Sequence, residues 1–461
     1  MLNPTPLEAW IAGKLFTASA ANGNPDRPSG QLTRSRIETW QLERIRQTIS
    51  HARTHSPFYH HHLKDIKPDS IQKLDDLSRL PFTTPDGLRS QPLQFLCVSQ
   101  DDIVRCITLQ STGTSGKPKR IFLTRDDLEQ TLDFFHHGMS VLVTPEDRVM
   151  IFLPGDRPDS VGDLLIRALA RMNVPGIIQN PGVHPEKIVD AIIDQSITCL
   201  VGAPVFIRYL LRSGNNETRL KNRIQSILLT TDHMPQVIVN SLEQALTCRV
   251  NGHYVMSEMG WGGGVVCREG RGYHFREADL YIEIVVPETG KLFRATAAKP
   301  LPDGQIGEIV VTTLTRTGMP LIRYRTGDIS RFHLPPCPCG TVLKQMDRSV
   351  QRLENRAVLK SGAYLTLSML DDALFSLPDV IDFQADLGSC SGRDCLTITA
   401  DISGDADSVC DQIKGKLKTI PAIRDAIFRL DIQLSHDLNS PGFLPGLQKR
   451  CLVDHRKKDE G

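Results

Sequence analysis

The feature that most constrains the fold is a regular alternation of apolar, β-branched runs with helical stretches between residues 149 and 254. The pattern predicts strands at 149–153, 174–178, 197–201, 224–229 and 249–254, and helices at 162–172, 185–195, 204–211 and 235–246. Because a helix separates consecutive strands, we expect a largely parallel sheet with helices on both faces. Ligands of such sheets bind beyond the carboxyl ends of the strands, so we expect a functional site there.

A glycine-rich loop lies between two apolar runs in residues 108–124, TLQSTGTSGKPKRIFLT. It offers hydroxyl groups and flexible backbone from Ser111, Thr112, Gly113, Thr114, Ser115 and Gly116, and positive charge from Lys117 and Lys119. Backbone N–H groups of such a loop can converge on an anion, so we expect it to bind phosphate. It is not a Walker A loop, because Ser111 and Pro118 stand where that pattern requires other residues. An ordinary Ser/Gly linker is the alternative interpretation.

The charge balance excludes several classes of partner. Lys and Arg (54 residues) nearly equal Asp and Glu (53 residues), which gives no reason to expect a nucleic acid or a membrane surface. The sequence shows neither an apolar membrane span nor a signal peptide, so we expect a cytoplasmic protein. Eleven cysteines scattered over 461 residues then favour reduced thiols over a disulfide framework.

Two further motifs follow, HYVMSEMG at residues 253–260 and YRTGD at residues 324–328. The second closes a β-rich region that begins near residue 273, with strands predicted at 280–286, 307–314 and 321–325. Together with the glycine-rich loop, these motifs resemble those of the adenylate-forming (acyl-CoA synthetase) superfamily. The segments SPFY at 56–59 and LPFTT at 80–84 resemble its phenylacetate-CoA ligase-like branch.

The resemblance implies an α/β fold with two domains. Residues 1–351 would form a large ATP- and acyl-binding domain with mixed and parallel sheets and a β-rich subdomain, in which residues 1–101 are helical. Residues 352–461 would form a small, mobile α+β domain. For this part, periodicity predicts helices at 368–376 and 406–417 and strands at 380–385, 394–400 and 427–434.

The resemblance also implies roles for single residues. Lys117 and the loop hydroxyls would contact phosphates, Ser257 would contact phosphate, and Glu258 would bind Mg²⁺. Tyr254 would pack on adenine beside Asp232, and Arg352, at the hinge between domains, would reach ribose or phosphate. Asp328, expected after a tight glycine turn, would accept two hydrogen bonds from the ribose diol.

Four residues resemble a metal site of the same branch: Cys267, His274, Cys337 and Cys339. Three thiolates and one imidazole would form a closed, structural zinc site. Unligated, reduced cysteines are the alternative.

A lysine on a C-terminal loop contacts the carboxylate and the α-phosphate in relatives. In this chain Leu447 occupies that position, and Lys449 lies two residues further on. Either Lys449 serves in adenylation, since a flexible point charge tolerates displacement, or adenylation is weakened.

The resemblance implies an ATP-dependent, AMP-forming carboxylic acid–CoA ligase that uses Mg²⁺ and takes CoA as co-substrate, whereas the residue patterns alone predict an ATP-like phosphate site on an α/β scaffold. The resemblance favours an aryl acid such as phenylacetate. Two alternatives stay open: transfer of the adenylate to a carrier protein, and a nucleotide-binding regulatory protein with weakened turnover. A homodimer is a further assembly that the sequence leaves open.

Overall fold

The structure is a computed structural model that describes residues 5–21, 31–109, 118–267, 269–287, 300–334, 336–427, 429–435 and 450–458. The chain divides into two compact units. Unit 1 comprises Met1–Thr144, Asp156–Asn173 and His253–Val350, and unit 2 comprises Pro145–Gly155, Val174–Gly252 and Gln351–Gly461. The chain passes from unit 1 to unit 2 at residue 351, where the sequence predicts a domain boundary. The assignment of residues 1–351 to one large domain and 352–461 to a second stays a prediction.

The helices are α1 (Pro6–Ala21), α2 (Arg34–His55), α3 (Pro57–His62), α4 (Pro85–Ser90), α5 (Arg125–Met139), α6 (Val161–Ala170), α7 (Pro185–Asp194), α8 (Pro204–Arg212), α9 (Asn216–Leu220), α10 (Gln236–Leu246), α11 (Leu367–Leu374), α12 (Ala406–Leu417) and α13 (Pro421–Ala426). The described residues include no helix that combines the length and the apolar composition needed to cross a bilayer.

The strands are β1 (Ile103–Leu109), β2 (Lys119–Thr124), β3 (Val149–Ile151), β4 (Gly176–Ile178), β5 (Cys199–Gly202), β6 (Ser226–Leu229), β7 (Arg249–Tyr254), β8 (Gly264–Val266), β9 (Gly272–Phe275), β10 (Leu280–Val285), β11 (Gly307–Thr313), β12 (Tyr324–Ser330), β13 (Gln345–Asp347), β14 (Gln351–Arg352), β15 (Arg356–Val358), β16 (Tyr364–Thr366), β17 (Val380–Cys390), β18 (Arg393–Ile402), β19 (Arg429–Ser435) and β20 (Leu452–Asp454).

Unit 1 combines helices with antiparallel strands. Strands β1 and β2 form a hairpin, β10, β11 and β12 form a meander, and β8 and β9 are joined by β13. Helix α5 follows β2 directly and starts with a capping box. The Thr124 hydroxyl accepts the Asp127 backbone N–H, and the Asp127 carboxylate accepts the Thr124 N–H. This reciprocal cap satisfies two backbone donors at the helix start and fixes where strand ends and helix begins.

Unit 2 contains the predicted parallel sheet. Its strands follow the order β7, β6, β5, β3, β4, and each neighbouring pair is parallel. All five predicted strands and all four predicted helices of residues 149–254 are present, with the short α9 in addition. The helices of this stretch are amphipathic, whereas β3, β5 and β6 are short, fully buried runs delimited by the flanking helices.

The C-terminal part of unit 2 has the expected α+β composition. Strands β17 and β18 form a long hairpin, β19 pairs with β18 in parallel, and β20 pairs with β17 in parallel. One cluster of buried apolar residues joins side chains of the parallel sheet and its helices, such as Phe206 and Leu210, with side chains of the C-terminal part, such as Leu374 and Phe383.

Two expectations need correction. The strand predicted at 321–325 is β12, Tyr324–Ser330, so Asp328 lies within a strand and not after a tight turn. Gly327 has φ of 76°, and the pairing with β11 shifts register at this point, so the glycine forms a β-bulge. The expectation that the cysteines are reduced is also wrong for one pair. Cys390 and Cys395 are disulfide-bonded across the β17–β18 hairpin, with Cα atoms 5.9 Å apart.

Candidate functional site

A buried carboxylate in unit 1 meets a lysine and a tyrosine from two other motifs. Glu258 lies in a single 3₁₀ turn, Ser257–Met259, and only 3% of the residue is exposed. The Lys119 ammonium, at the start of β2, donates to the Glu258 carboxylate. The Tyr324 hydroxyl donates to the same oxygen at 3.1 Å and lies 3.3 Å from Lys119 Nζ. The strand after the glycine-rich loop, the SEMG turn and the YRTGD strand therefore converge on one carboxylate.

The backbone of the Glu258 turn is held by two buried arginines. Arg316 Nη1 donates to the Glu258 carbonyl oxygen at 2.8 Å, and Arg276 donates to the Met259 carbonyl oxygen. Arg316 Nε also lies 3.6 Å from the Asp127 carboxylate at the α5 cap. Burial lowers the pKa of Arg276 to about 10 and also lowers the pKa of Arg316. Two buried arginines thus each donate to a carbonyl oxygen of this turn and fix the orientation of its backbone.

A second carboxylate is oriented by a tyrosine. The Tyr254 hydroxyl, at the end of β7, donates to Asp328 Oδ2 at 2.7 Å. The Tyr254 ring lies against Phe275, with centroids 5.7 Å apart. The structure thus brings together two residues to which the resemblance assigns adenine and ribose contacts. Those roles stay predictions.

The strand that carries Tyr324 is clamped by the LPFTT segment. Thr83 N donates to the Arg323 carbonyl oxygen at 3.0 Å, and Arg325 N donates to the Thr83 carbonyl oxygen at 2.9 Å. The Thr83 hydroxyl donates to the Ile322 carbonyl oxygen at 2.7 Å. The LPFTT segment therefore has a structural role here, because it adds a short parallel contact to the strand that presents Tyr324 and Asp328.

The remaining predicted site residues fall into three groups. The glycine-rich loop, with Ser111, Thr112, Gly113, Thr114, Ser115, Gly116 and Lys117, and the loop with Leu447 and Lys449 lie outside the described residues. Ser257 begins the turn that carries Glu258. Asp232 and Arg352 belong to unit 2, where the Asp232 carboxylate lies 3.3 Å from Arg450 Nε and Arg352 ends β14.

Sequence reasoning missed three contributors to this site: Tyr324, Arg276 and Arg316. Lys119 was expected to add positive charge to the glycine-rich loop, and Tyr324 was visible as the first residue of YRTGD. The two arginines carry no sequence signal, since what distinguishes them is burial beside a turn that lies 17 and 58 residues away.

The four predicted metal ligands lie together in unit 1. Cys267, His274, Cys337 and Cys339 are all buried, and their ligand atoms lie within 4.8 Å of one another. Cys267 Sγ is 3.6 Å from Cys337 Sγ, and His274 Nε2 is 3.6 Å from Cys339 Sγ. Such separations suit a tetrahedral ion with metal–sulfur bonds of about 2.3 Å.

The groups around this cluster orient its ligands. His274 Nδ1 hydrogen-bonds to the Lys344 carbonyl oxygen at 3.0 Å, which turns Nε2 toward the sulfurs. Gln345 Nε2 donates to Cys337 Sγ at 3.2 Å. The hydrogen bond with Cys339, and then that with His274, lowers the pKa of the Cys267 thiol. The donor set fits a structural zinc ion, because the protein supplies all four ligands of a tetrahedral site and leaves no coordination position for water.

Comparison with known proteins gives consistent matches. The family model described as "AMP-binding enzyme" matches residues 40–315, more than half of the chain. A phenylacetate-coenzyme A ligase of Thermus thermophilus is 25% identical over 359 residues, covering 76% of this chain and 78% of the relative. A phenylacetate-coenzyme A ligase of Pseudomonas putida is 29% identical over 308 residues, covering 63% and 66%.

Solved structures show the same fold. The crystal structure of 2-hydroxyisobutyryl-CoA ligase in the postadenylation state, in complex with R3-HIB-AMP, has a TM-score of 0.76 at 17% identity and covers 93% of this chain and 92% of that chain. The same ligase, in complex with 2-HIB-AMP and CoA in the thioesterification state, has a TM-score of 0.62 at 17% identity and the same coverage.

Proposed function

Because the chain belongs to the family of AMP-binding enzymes, we propose that it is an ATP-dependent, AMP-forming carboxylic acid–CoA ligase that acts through an acyl-adenylate. The observation that carries the proposal is the convergence of Lys119, Glu258 and Tyr324, with the Tyr254–Asp328 pair in the same unit. Three separate motifs contribute to this group, and the curated relatives are phenylacetate-CoA ligases.

The reaction has two steps. A carboxylate oxygen of the acid attacks the α-phosphorus of ATP, and the bond to pyrophosphate breaks. The CoA thiol then attacks the carbonyl carbon of the adenylate, loses its proton, and releases AMP. In this scheme the residues position and neutralise charged groups, so no protein nucleophile is required.

Glu258 and the residues near it have separate roles in positioning and in neutralising charge. We assign Glu258 as the Mg²⁺ ligand, since a buried carboxylate is a suitable hard oxygen donor. A Mg²⁺ ion held by Glu258 would supply positive charge opposite the phosphates. In the structure the Lys119 ammonium is paired with the Glu258 carboxylate. We assign Lys119 to phosphate oxygens that would lie beside Glu258. Tyr324 keeps the carboxylate oriented, and Asp328 is assigned to the ribose diol.

Further assignments rest on the sequence motifs. The glycine-rich loop and Lys117 would bind phosphates, Ser257 would bind phosphate, and Asp232 would lie beside adenine with Tyr254. Arg352 would reach ribose or phosphate, and Lys449 would contact the carboxylate and the α-phosphate. Residues 352–461 would move between the two steps, since 2-hydroxyisobutyryl-CoA ligase has been solved in both a postadenylation and a thioesterification state. ATP and CoA as substrates fit a cytoplasmic enzyme.

The preferred acid is an aryl acid such as phenylacetate, supported by the names of the curated relatives. A structural zinc ion is assigned to Cys267, His274, Cys337 and Cys339, supported by their mutual distances.

The test is pyrophosphate release from Mg·ATP over a panel of aryl, short-chain and fatty acids, with and without CoA. We expect release that depends on an aryl acid and yields its CoA thioester. Release with no thioester from CoA would redirect the acceptor to a carrier protein. ATP binding with no release for any acid would contradict the ligase proposal and favour a regulatory role.

A further inference from the structure

Helix α8 directs two arginines toward one short segment of the C-terminal part of unit 2. Arg208 Nη1 donates to the Val380 carbonyl oxygen at 2.6 Å, and Nη2 donates to the Leu377 oxygen at 2.8 Å and the Phe375 oxygen at 3.4 Å. Arg212, one helical turn later, donates to the Pro378 oxygen at 3.0 Å. Residues four apart share a helix face, so both guanidinium groups reach the same loop between α11 and β17.

The chemistry of this contact suits reversible docking. Arg208 is 1% exposed, and burial lowers its pKa to about 9. The carbonyl groups it binds follow the carboxyl end of α11, where the helix dipole favours a cation. When the segment separates from α8, water can replace the carbonyl groups around the guanidinium. The charge is therefore compensated in both arrangements, unlike that of a buried ion pair that loses one partner.

A third arginine, Arg450, contacts the same part of the chain. Arg450 donates to the Asp371 carboxylate, and its Nε lies 3.3 Å from Asp232 Oδ2 and 4.0 Å from Asp382 Oδ1. Asp371 lies in α11, Asp382 lies in β17, and Asp232 lies in the loop between β6 and α10. Arg450 therefore links the C-terminal part to the loop that the sequence places beside adenine.

Arg208 and Arg450 lie near the same aromatic ring. The centre of the Arg208 guanidinium lies 5.3 Å from the centroid of the Phe375 ring, and that of Arg450 lies 4.8 Å from it. Both cations thus interact with the first residue after α11, in addition to their polar contacts.

We propose that Arg208 and Arg450 are positioning residues that hold the segment from α11 to β17 against α8 and the Asp232 loop during adenylate formation. The inference rests on the proposed function. We assign the docked arrangement to the adenylation step for two reasons. Arg450 directly follows Lys449, the lysine assigned to adenylation, and Arg450 contacts Asp232, the residue assigned to the adenine side.

The expected effect follows from a population argument. An enzyme that uses two arrangements in one cycle must keep their free energies close. Loss of the charged hydrogen bonds of Arg208 then shifts the population away from the docked arrangement by roughly tenfold or more. The step that needs docking slows, whereas the other step does not.

The experiment measures the two half-reactions separately in the full-length protein. Adenylation is followed as acid-dependent exchange between ATP and pyrophosphate, and thioester formation is followed from chemically prepared acyl-adenylate and CoA. For Arg208→Gln we expect the adenylation rate to fall roughly tenfold or more and the rate of thioester formation to stay within about twofold.

Arg212→Gln removes only the exposed contact and should lower the adenylation rate by a smaller factor. Arg219→Gln, at a half-buried arginine of α9 that pairs with the exposed Asp190, is the matched control and should change neither rate.

Equal loss of both half-reactions in Arg208→Gln, or no change in either, would overturn the proposal. Hydrogen–deuterium exchange of the peptide that covers residues 375–390 provides a readout independent of catalysis. Arg208→Gln should accelerate exchange there, and unchanged exchange would also overturn the proposal. If the wild-type protein activates no acid, the proposed function fails, whereas the exchange experiment still decides whether Arg208 closes this contact in solution.

Discussion

Glu258 holds its carboxylate between an ammonium group and a phenol, although the residue is almost fully buried. The Lys119 ammonium is a counter-ion for this carboxylate, and a carboxylate oxygen is the kind of donor that Mg²⁺ prefers. The positive φ angles of this turn lie at Gly260 (72°) and Trp261 (56°), whereas Val255, three residues before Glu258, does not have one.

At the residue scale we predict the effect of removing one charge. Glu258→Gln keeps the volume and the hydrogen-bond acceptor but loses the negative charge. We expect adenylation to slow by about 10²-fold or more and to require a higher Mg²⁺ concentration. A Mg²⁺ titration of the pyrophosphate-exchange rate measures both effects. Glu243→Gln, an exposed glutamate of α10, is the control. An unchanged Mg²⁺ requirement in Glu258→Gln would remove the metal-ligand assignment.

At the element scale, the start of β12 combines two tasks. Tyr324, its first residue, contacts Glu258 and Lys119, whereas Arg325, on the opposite face of the strand, and Arg323, just before the strand, each place a guanidinium over the Phe82 ring. Arg323 pairs with Glu283 and Arg325 with Glu308, and none of these four side chains is exposed. One strand face therefore presents a site residue while the other is fixed by buried ion pairs.

This arrangement predicts a large stability effect. Glu308→Gln leaves the Arg325 charge buried without its counter-ion, so we expect the free energy of unfolding to fall by about 3–5 kcal/mol. Urea denaturation measures the change. The matched control is Asp303→Asn, which breaks the surface pair with Lys344 at 3.3 Å and should cost less than about 1 kcal/mol. Equal losses in the two variants would contradict the distinction between buried and exposed pairs.

At the scale of the whole molecule, the cysteine–histidine cluster joins distant parts of the chain. Cys267 and Cys337 are 70 residues apart in sequence, and β10, β11 and β12 lie between them. A metal ion at this cluster would close a long loop around the β-rich part of unit 1, which restricts the unfolded chain more than a local site would.

We therefore predict about one zinc ion per chain by elemental analysis of the purified protein. Cys337→Ser should abolish the zinc and lower the melting temperature by roughly 5 °C or more. Cys106→Ser changes an exposed free cysteine and should retain both the metal and the melting temperature. Folded, thermally unchanged protein that contains no metal would remove the zinc assignment.

The sequence by itself determined the β/α alternation of residues 149–254, the α+β composition of the C-terminal part, and the motifs that carry Glu258, Tyr254, Asp328 and the four metal ligands. The first two features are written in local periodicity, which a single sequence displays, whereas the motif residues and the four metal ligands were predicted from a resemblance to a known family. Only the tertiary structure placed Asp328 inside a bulged strand, Arg276 and Arg316 on the Glu258 turn, and Arg208 on the carbonyl groups after α11. Each of those contacts joins residues far apart in the chain, and an arginine carries no local pattern that indicates which distant carbonyl group it will bind. Its partner is fixed only when packing buries both groups and each must then find a hydrogen bond.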